Sequence, residues 1–216
     1  MSKQPAAGGG RWVEVPPERL ERWLAGFAER HGRVRISGTP DTVTVVGADE
    51  ALAECHVPFP PLAEGDPLPA LVAHANAPRR VGVLLVRLGG FAAGVFAGTE
   101  LVASKVDTRQ VHGRNKAGGW SQQRFARRRE GQARQLTEAA AAVAARVLLP
   151  EVGSLDAVVL GGDRAAVDAV LADRALAPLA ALAVERFLTV PDPRRAVLEE
   201  TPAAFRATRI RVVDPT

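Results

Sequence analysis

Residues 81–88, 91–96 and 100–111 form three apolar or β-branched runs separated by nothing longer than Gly89-Gly90 and Gly98-Thr99. Connections that short require strands that turn back beside one another, so the stretch predicts an antiparallel three-strand meander. A polar loop at 112–121 follows. Residues 122–148 are then rich in alanine, which gives a long helix strong intrinsic propensity before Pro150 ends it. Beyond, 157–160 reads as a buried strand, Asp163 as the cap of a helix over 164–173, and 182–190 as a further strand. A helix over 193–200 and a strand over 206–213 close the pattern. It predicts an α/β fold, a mixed sheet in which an antiparallel meander is followed by α-β-α-β, with helices packed on it.

Upstream the signals are more local. Residues 1–10, ending in three glycines, read as a flexible tail. Pro16-Pro17 opens a helix to about His31, with Leu20, Trp23, Leu24 and Phe27 on one face and Gly32 as its stop. Runs at 33–36 and 42–46 flank the Gly38-Thr39-Pro40-Asp41 turn and predict a hairpin. The organisation expected is a small helix-plus-hairpin unit at 11–56, a proline-rich surface connection at 57–79 with a short helix near 68–75, and a main domain at 80–213. Trp12, Trp23 and Phe27 are expected in the core.

The 216 residues carry 28 Lys and Arg against 24 Asp and Glu, a net charge of +4. The isoelectric point of about 10.1 is inflated by arginine, because little in the chain titrates between neutrality and pH 10. Placement says more than the total. Lys105, Arg109, Arg114, Lys116, Arg124, Arg127, Arg128, Arg129 and Arg134 share one window with only Asp107 and Glu130, so residues 105–134 are +7 and the rest is −3. Such concentration points to a polyanion, with RNA as the expected partner and DNA not expected. On a helical wheel Arg124, Arg127, Arg128 and Arg134 lie opposite Phe125, Leu136, Val143 and Val147, while Arg129 falls among the apolar positions.

Composition excludes a disordered tail, a collagen-like fibre and a membrane span, and no membrane is expected among the partners. Cys55, the single cysteine, cannot close an internal disulfide, and the first ten residues carry no apolar secretion segment, so a cytoplasmic location is expected. His31, His56, His74 and His112 lack the paired spacing of zinc ligands, so neither metal nor cofactor is expected. Gly161-Gly162-Asp163 lacks the spacing of a nucleotide fingerprint and reads as a turn and helix cap.

The loop itself carries the chemistry. Gly113, Gly118 and Gly119 leave its backbone free, and the basic residues on both sides can hold a phosphate chain against it. Gly118-Gly119-Trp120-Ser121-Gln122, after a meander and before a long basic helix, resembles the Gly-Gly-Gln loop in the middle domain of eukaryotic and archaeal peptide chain release factors. It is closer to the release-factor-like peptidyl-tRNA hydrolases of ribosome quality control, in an actinobacterial-type form, whose Gly-x-x-Gln pattern Gly119-Trp120-Ser121-Gln122 fits. The resemblance spans residues 80–213, where Val158 to Asp163 also looks like the strand and glycine turn after the long helix of those domains. It implies hydrolysis of the ester joining nascent peptide to tRNA, with the large ribosomal subunit and peptidyl-tRNA as partners. Gln122, Gly119, Gly118 and Ser121 would form the catalytic loop, and Arg114, Lys116, Arg124, Arg127 and Arg128 would grip RNA.

Two features depart from that pattern. Trp120-Ser121 separates the glycines from the glutamine, and Gln123 is a rival for the catalytic position. A non-catalytic ribosome- or RNA-binding protein, or a nuclease acting on the tRNA end through His112, stays open beside the hydrolase reading.

Overall fold

A computed structural model describes the backbone of residues 4–5, 9–108 and 121–215, and the side chains of residues 9–107 and 130–215. It divides into two compact units, Met1–Ala77 with Ala203–Thr216, and Pro78–Pro202. The first unit opens with β1 (Gln4–Pro5), β2 (Arg11–Val15), α1 (Pro17–His31), β3 (Arg35–Gly38), β4 (Thr42–Val46), β5 (Leu52–His56) and α2 (Pro67–Asn76). The second holds β6 (Arg80–Arg87), β7 (Gly90–Ala97), β8 (Glu100–Thr108), α3 (Ser121–Leu148), β9 (Ala157–Gly162), α4 (Arg164–Leu171), α5 (Ala177–Ala181), β10 (Ala183–Leu188) and α6 (Arg195–Glu199). The chain ends with α7 (Thr201–Phe205) and β11 (Thr208–Val213).

In the second unit the meander forms as expected, with Arg87 opposite Gly90 across the first turn and Ala97 opposite Glu100 across the second. β9 adds parallel to β6, with Val86 opposite Gly162, and β10 adds parallel to β9, giving the mixed order β10-β9-β6-β7-β8. β6 and β7 are buried at nearly every position because the sheet is covered on both faces, the condition under which strands read as continuous apolar runs. On one face Leu84, Val86, Phe91, Val95, Val158 and Leu160 pack with Leu136, Ala140, Ala144 and Leu148 of α3 and with Val167 and Val170 of α4. On the other, a Cβ at Gly94 would stand 3.0 Å from Leu198 of α6, so glycine lets that helix approach the sheet. This is the mixed α/β architecture the sequence predicts.

The first unit is larger than a helix and a hairpin. β1-β2-β11-β5-β4-β3 make a six-stranded sheet whose pairs are all antiparallel. Val13, Val15, Val43, Val45, Ala53, Cys55, Ile210 and Val212 face Leu20, Leu24 and Phe27 of α1 and Leu71 and Ala75 of α2 in one core. The last strand, expected to end the domain at 80–213, instead lies between β2 and β5, with Ile210 opposite both Val13 and Cys55. Its alternation suits that place: Thr208, Ile210 and Val212 are buried while Arg209 and Arg211 point away, the pattern of a sheet covered on one face.

Three smaller expectations change. Gln4–Pro5, placed in the tail, pairs antiparallel with β2 at Trp12 and Arg11. Trp12 lies on the outer face of the first sheet, half-buried between the Arg209 guanidinium, 4.5 Å from its ring, and His56, whereas Phe27 is fully buried and Trp23 only partly so. The proline-rich connection contains α2, and Val57 and Pro58 beside it are buried rather than lying over the surface.

Candidate functional site

β6, β8, β9 and β10 run in one direction, so their carboxyl ends share an edge of the second sheet, the usual place for function in open α/β sheets. The basic loop departs from that edge after Thr108, which pairs with Gly90. Beside it stand the tip of the first hairpin, where Leu88 is 57% exposed, and the turn from β9 into α4. That turn is fixed tightly. Gly162 has φ +105°, and a Cβ there would stand 2.1 Å from the Val86 carbonyl oxygen, so only glycine fits. Asp163 then caps α4, its carboxylate accepting from the Ala166 N–H at 3.0 Å, and its own N–H donates to Val86 at 2.8 Å. The same edge is clasped by Arg87, which donates to the Val190 carbonyl at 2.7 Å and approaches Asp192 at 3.6 Å. No local signal could have revealed that clasp, because its partners are a hundred residues apart in the chain.

Ser121 is the first residue of α3 and Gln122 the second. The expected helix start is therefore matched to within one residue, and Gln122 stands at the junction of loop and helix. Gln123, Arg124, Arg127, Arg128 and Arg129 occupy the next turns; of these five and of Ser121 and Gln122 the described structure gives the backbone only. Arg114, Lys116, Gly118 and Gly119, with His112 and Trp120, lie outside the described residues. β8 ends and α3 begins on either side of this loop.

α3, at 28 residues, is about 42 Å long. Among its described side chains burial begins at Leu136; residues 130–135, Ala133 on the apolar side included, are exposed. Glu130 and Arg134 are thus in solvent on a stretch of helix that no core holds. Such a helix needs its own propensity, which its alanine and glutamine content supplies.

Elsewhere, several of the described ionisable groups are engaged structurally. His31 Nδ1 meets Asp49 Oδ2 at 2.9 Å, His56 meets Glu54 at 3.1 Å, and His74 Nε2 donates to the carbonyls of Pro58 at 2.8 Å and Phe59 at 3.1 Å. The Arg211 hydrogen bond first, and its charge and His56 after, hold the Glu54 carboxyl below the usual range against the opposing effect of burial. Burial pushes the Cys55 thiol up to about 12, and the Glu54 charge adds to it. Among the described residues no three His, Cys, Asp or Glu side chains gather where a metal could bind, and no helix is long and apolar enough to cross a membrane.

The model of the Actinobacteria/chloroflexi VLRF1 release factor family matches residues 79–211, and the chain belongs to that family. No curated protein matches the sequence. Among solved structures, the chain is similar to the archaeal translation termination factor aRF1, at 13% identity and TM-score 0.40, covering 90% of this chain and 66% of that one. It is also similar to Saccharomyces cerevisiae Dom34, described as a translation termination-like factor involved in RNA quality control pathways and interacting with Hbs1, at 8% identity, 93% and 66% coverage and TM-score 0.37. Archaeoglobus fulgidus Pelota gives 14% identity, 92% and 63% coverage and TM-score 0.29. The chain spans just under two thirds of the length of each.

Proposed function

We propose that this protein is a release-factor-type peptidyl-tRNA hydrolase, which frees nascent peptide from tRNA on stalled ribosomes in the cytoplasm. The observation that carries the reading is the coincidence of family membership over 79–211 with Gly119-Trp120-Ser121-Gln122 at the junction of the β8–α3 loop and α3. The chemistry is ester hydrolysis. Water adds to the carbonyl carbon of the peptidyl ester, the bond from that carbon to the ribose oxygen breaks, and the proton lost by water ends on the ribose hydroxyl. A neutral amide suits the step, because the Gln122 side chain can accept from the water and donate to developing oxyanion charge without titrating. Gly118 and Gly119 let the loop backbone approach the substrate, and Ser121 starts the helix that carries Gln122. Arg114, Lys116, Arg124, Arg127 and Arg128 would hold RNA phosphates of the large subunit or the tRNA.

The test is incubation with purified ribosome–nascent-chain complexes, followed by analysis of both products. Free peptide with intact tRNA supports hydrolysis. Peptide still attached to a shortened tRNA would establish the nuclease reading instead. Stable association with no cleavage of either bond would leave a ribosome-binding protein without catalysis.

A further inference from the structure

A cleft of about 300 Å³ opens in the first unit between α1 and the β2–β11 side of its sheet. Its size is at the lower end for small-molecule sites. Val13, Trp23, Phe27 and Val212 give it an apolar lining, while Arg11, Arg30, His31 and Asp214 are its polar groups. Trp23 and Phe27 are stacked, their rings 5.9 Å apart and 19° from parallel.

The polar groups are held in place. His31 ends α1 with its ring 4.5 Å from Phe27. Its carbonyl accepts from the Ala48 N–H at 2.8 Å, and Gly47 leaves it room, since a Cβ there would stand 2.6 Å from the His31 Cβ. Asp49, whose carboxyl is held below its usual range first by the hydrogen bond from His31, can only accept, so Nδ1 carries a proton and Nε2 has no partner among the described residues. Arg11 spends Nη1 on Asp214, and its Nε is a buried donor without a partner among the described residues. Arg30 is exposed, lies back over Gly26, and has no carboxylate partner among the described residues. Two guanidiniums and an imidazole thus face two carboxylates, with Arg30 in excess and donor capacity unspent on Arg11. The partly exposed Trp23 ring, backed by the buried Phe27, stands on the same cleft as that excess cation and fits a ligand with a planar ring and an anionic group.

We propose that this cleft binds a nucleotide unit, its base against Trp23 and its phosphate against Arg30, Arg11 and His31. The unit is either a free mononucleotide or an unpaired nucleotide of an RNA chain, which share this chemistry. The inference stands apart from the hydrolysis proposed above, because none of these residues belongs to the loop.

The test is calorimetric titration of the full chain with the four nucleoside monophosphates, with the corresponding nucleosides and inorganic phosphate alone, and with 5′-phosphorylated tetranucleotides of RNA. Binding of a monophosphate at least tenfold tighter than its nucleoside or phosphate identifies the free nucleotide. Binding of the tetranucleotide alone, weakened at least tenfold by Arg30→Gln, identifies RNA. In either case Arg30→Gln, at an exposed position that leaves the fold intact by circular dichroism, should weaken binding about tenfold, and Trp23→Leu should weaken it independently. Absence of binding by monophosphates and tetranucleotides up to millimolar concentration would overturn the proposal. So would phosphate alone binding as tightly as the nucleotide, or unchanged affinity in both variants.

Discussion

Gln122 is the residue on which the proposed chemistry turns, and its replacement separates catalysis from binding. Gln122→Ala should lower peptide release by about a hundred- to thousandfold, the loss of roughly 2.7 to 4 kcal/mol seen when an oriented polar donor is removed. Gln123→Ala should release at close to the normal rate in the same single-turnover assay; the reverse result would move the catalytic position by one residue. Gly162 is decided by backbone geometry instead. With φ +105° and the Val86 oxygen 2.1 Å from any Cβ, Gly162→Ala should destabilise the second unit by on the order of 1 to 3 kcal/mol, read as a lower urea midpoint. Cys55 makes a pH prediction. A thiol raised to about 12 is ionised in about one molecule in ten thousand at pH 8, so it should resist a disulfide reagent until the protein unfolds. Because its folded value lies above the unfolded one, its contribution to stability is full below pH 9 and is lost as the pH climbs from there towards 12. Fast labelling of the native protein at pH 8 would contradict the burial.

Among the elements, α3 changes from exposed to buried along its described side chains. From Leu136 to Leu148 it is a core helix, legible in sequence because leucine, valine and alanine recur at helical spacing. From Glu130 to Gln135 it is exposed all round, Arg134 included. Replacing Arg124, Arg127 and Arg128 together with Gln should weaken ribosome binding and flatten its dependence on salt, with the melting temperature nearly unchanged. Equal affinity and equal salt slope in the triple variant would return these arginines to a solvated helix face. Arg129 was singled out by the wheel as lying on the apolar side, and its side chain is outside the described residues. The wheel assumes a core along the whole helix, whereas Ala133, one turn nearer the packed end, is already exposed.

At the scale of the molecule the chain closes on itself. β11, the last strand, lies between β2 and β5, so the first unit is completed only after the second has been made. Removing residues 208–216 should therefore abolish amide protection in β2 and β5 while leaving it in β6, β7 and β9, whose core is formed by other residues. Hydrogen exchange read by mass spectrometry checks this. Retained protection in β2 would mean that the sheet can close without its central strand.

Local signals determined much of this molecule. Two-residue turns allowed one arrangement of the meander, the wheel and Pro150 defined the packed half of α3, and Asp163 announced a cap that forms with the hydrogen bond expected of it. The Gly-x-x-Gln segment was visible for the same reason, being contiguous in the chain. Partnership between distant strands was not. The alternation in β11 marked a strand with one buried face, but alternation carries no address, and its pairing depends on edges offered by β2 and β5 about 150 to 200 residues earlier. The same holds for the Arg87–Asp192 clasp and for the cleft beside α1, where Arg11, His31 and Asp214 meet only because the last strand lies next to β2. Periodicity and turn chemistry act over a few residues, whereas sheet order and cavities are set by which apolar faces can be buried together, and only the tertiary structure makes that choice.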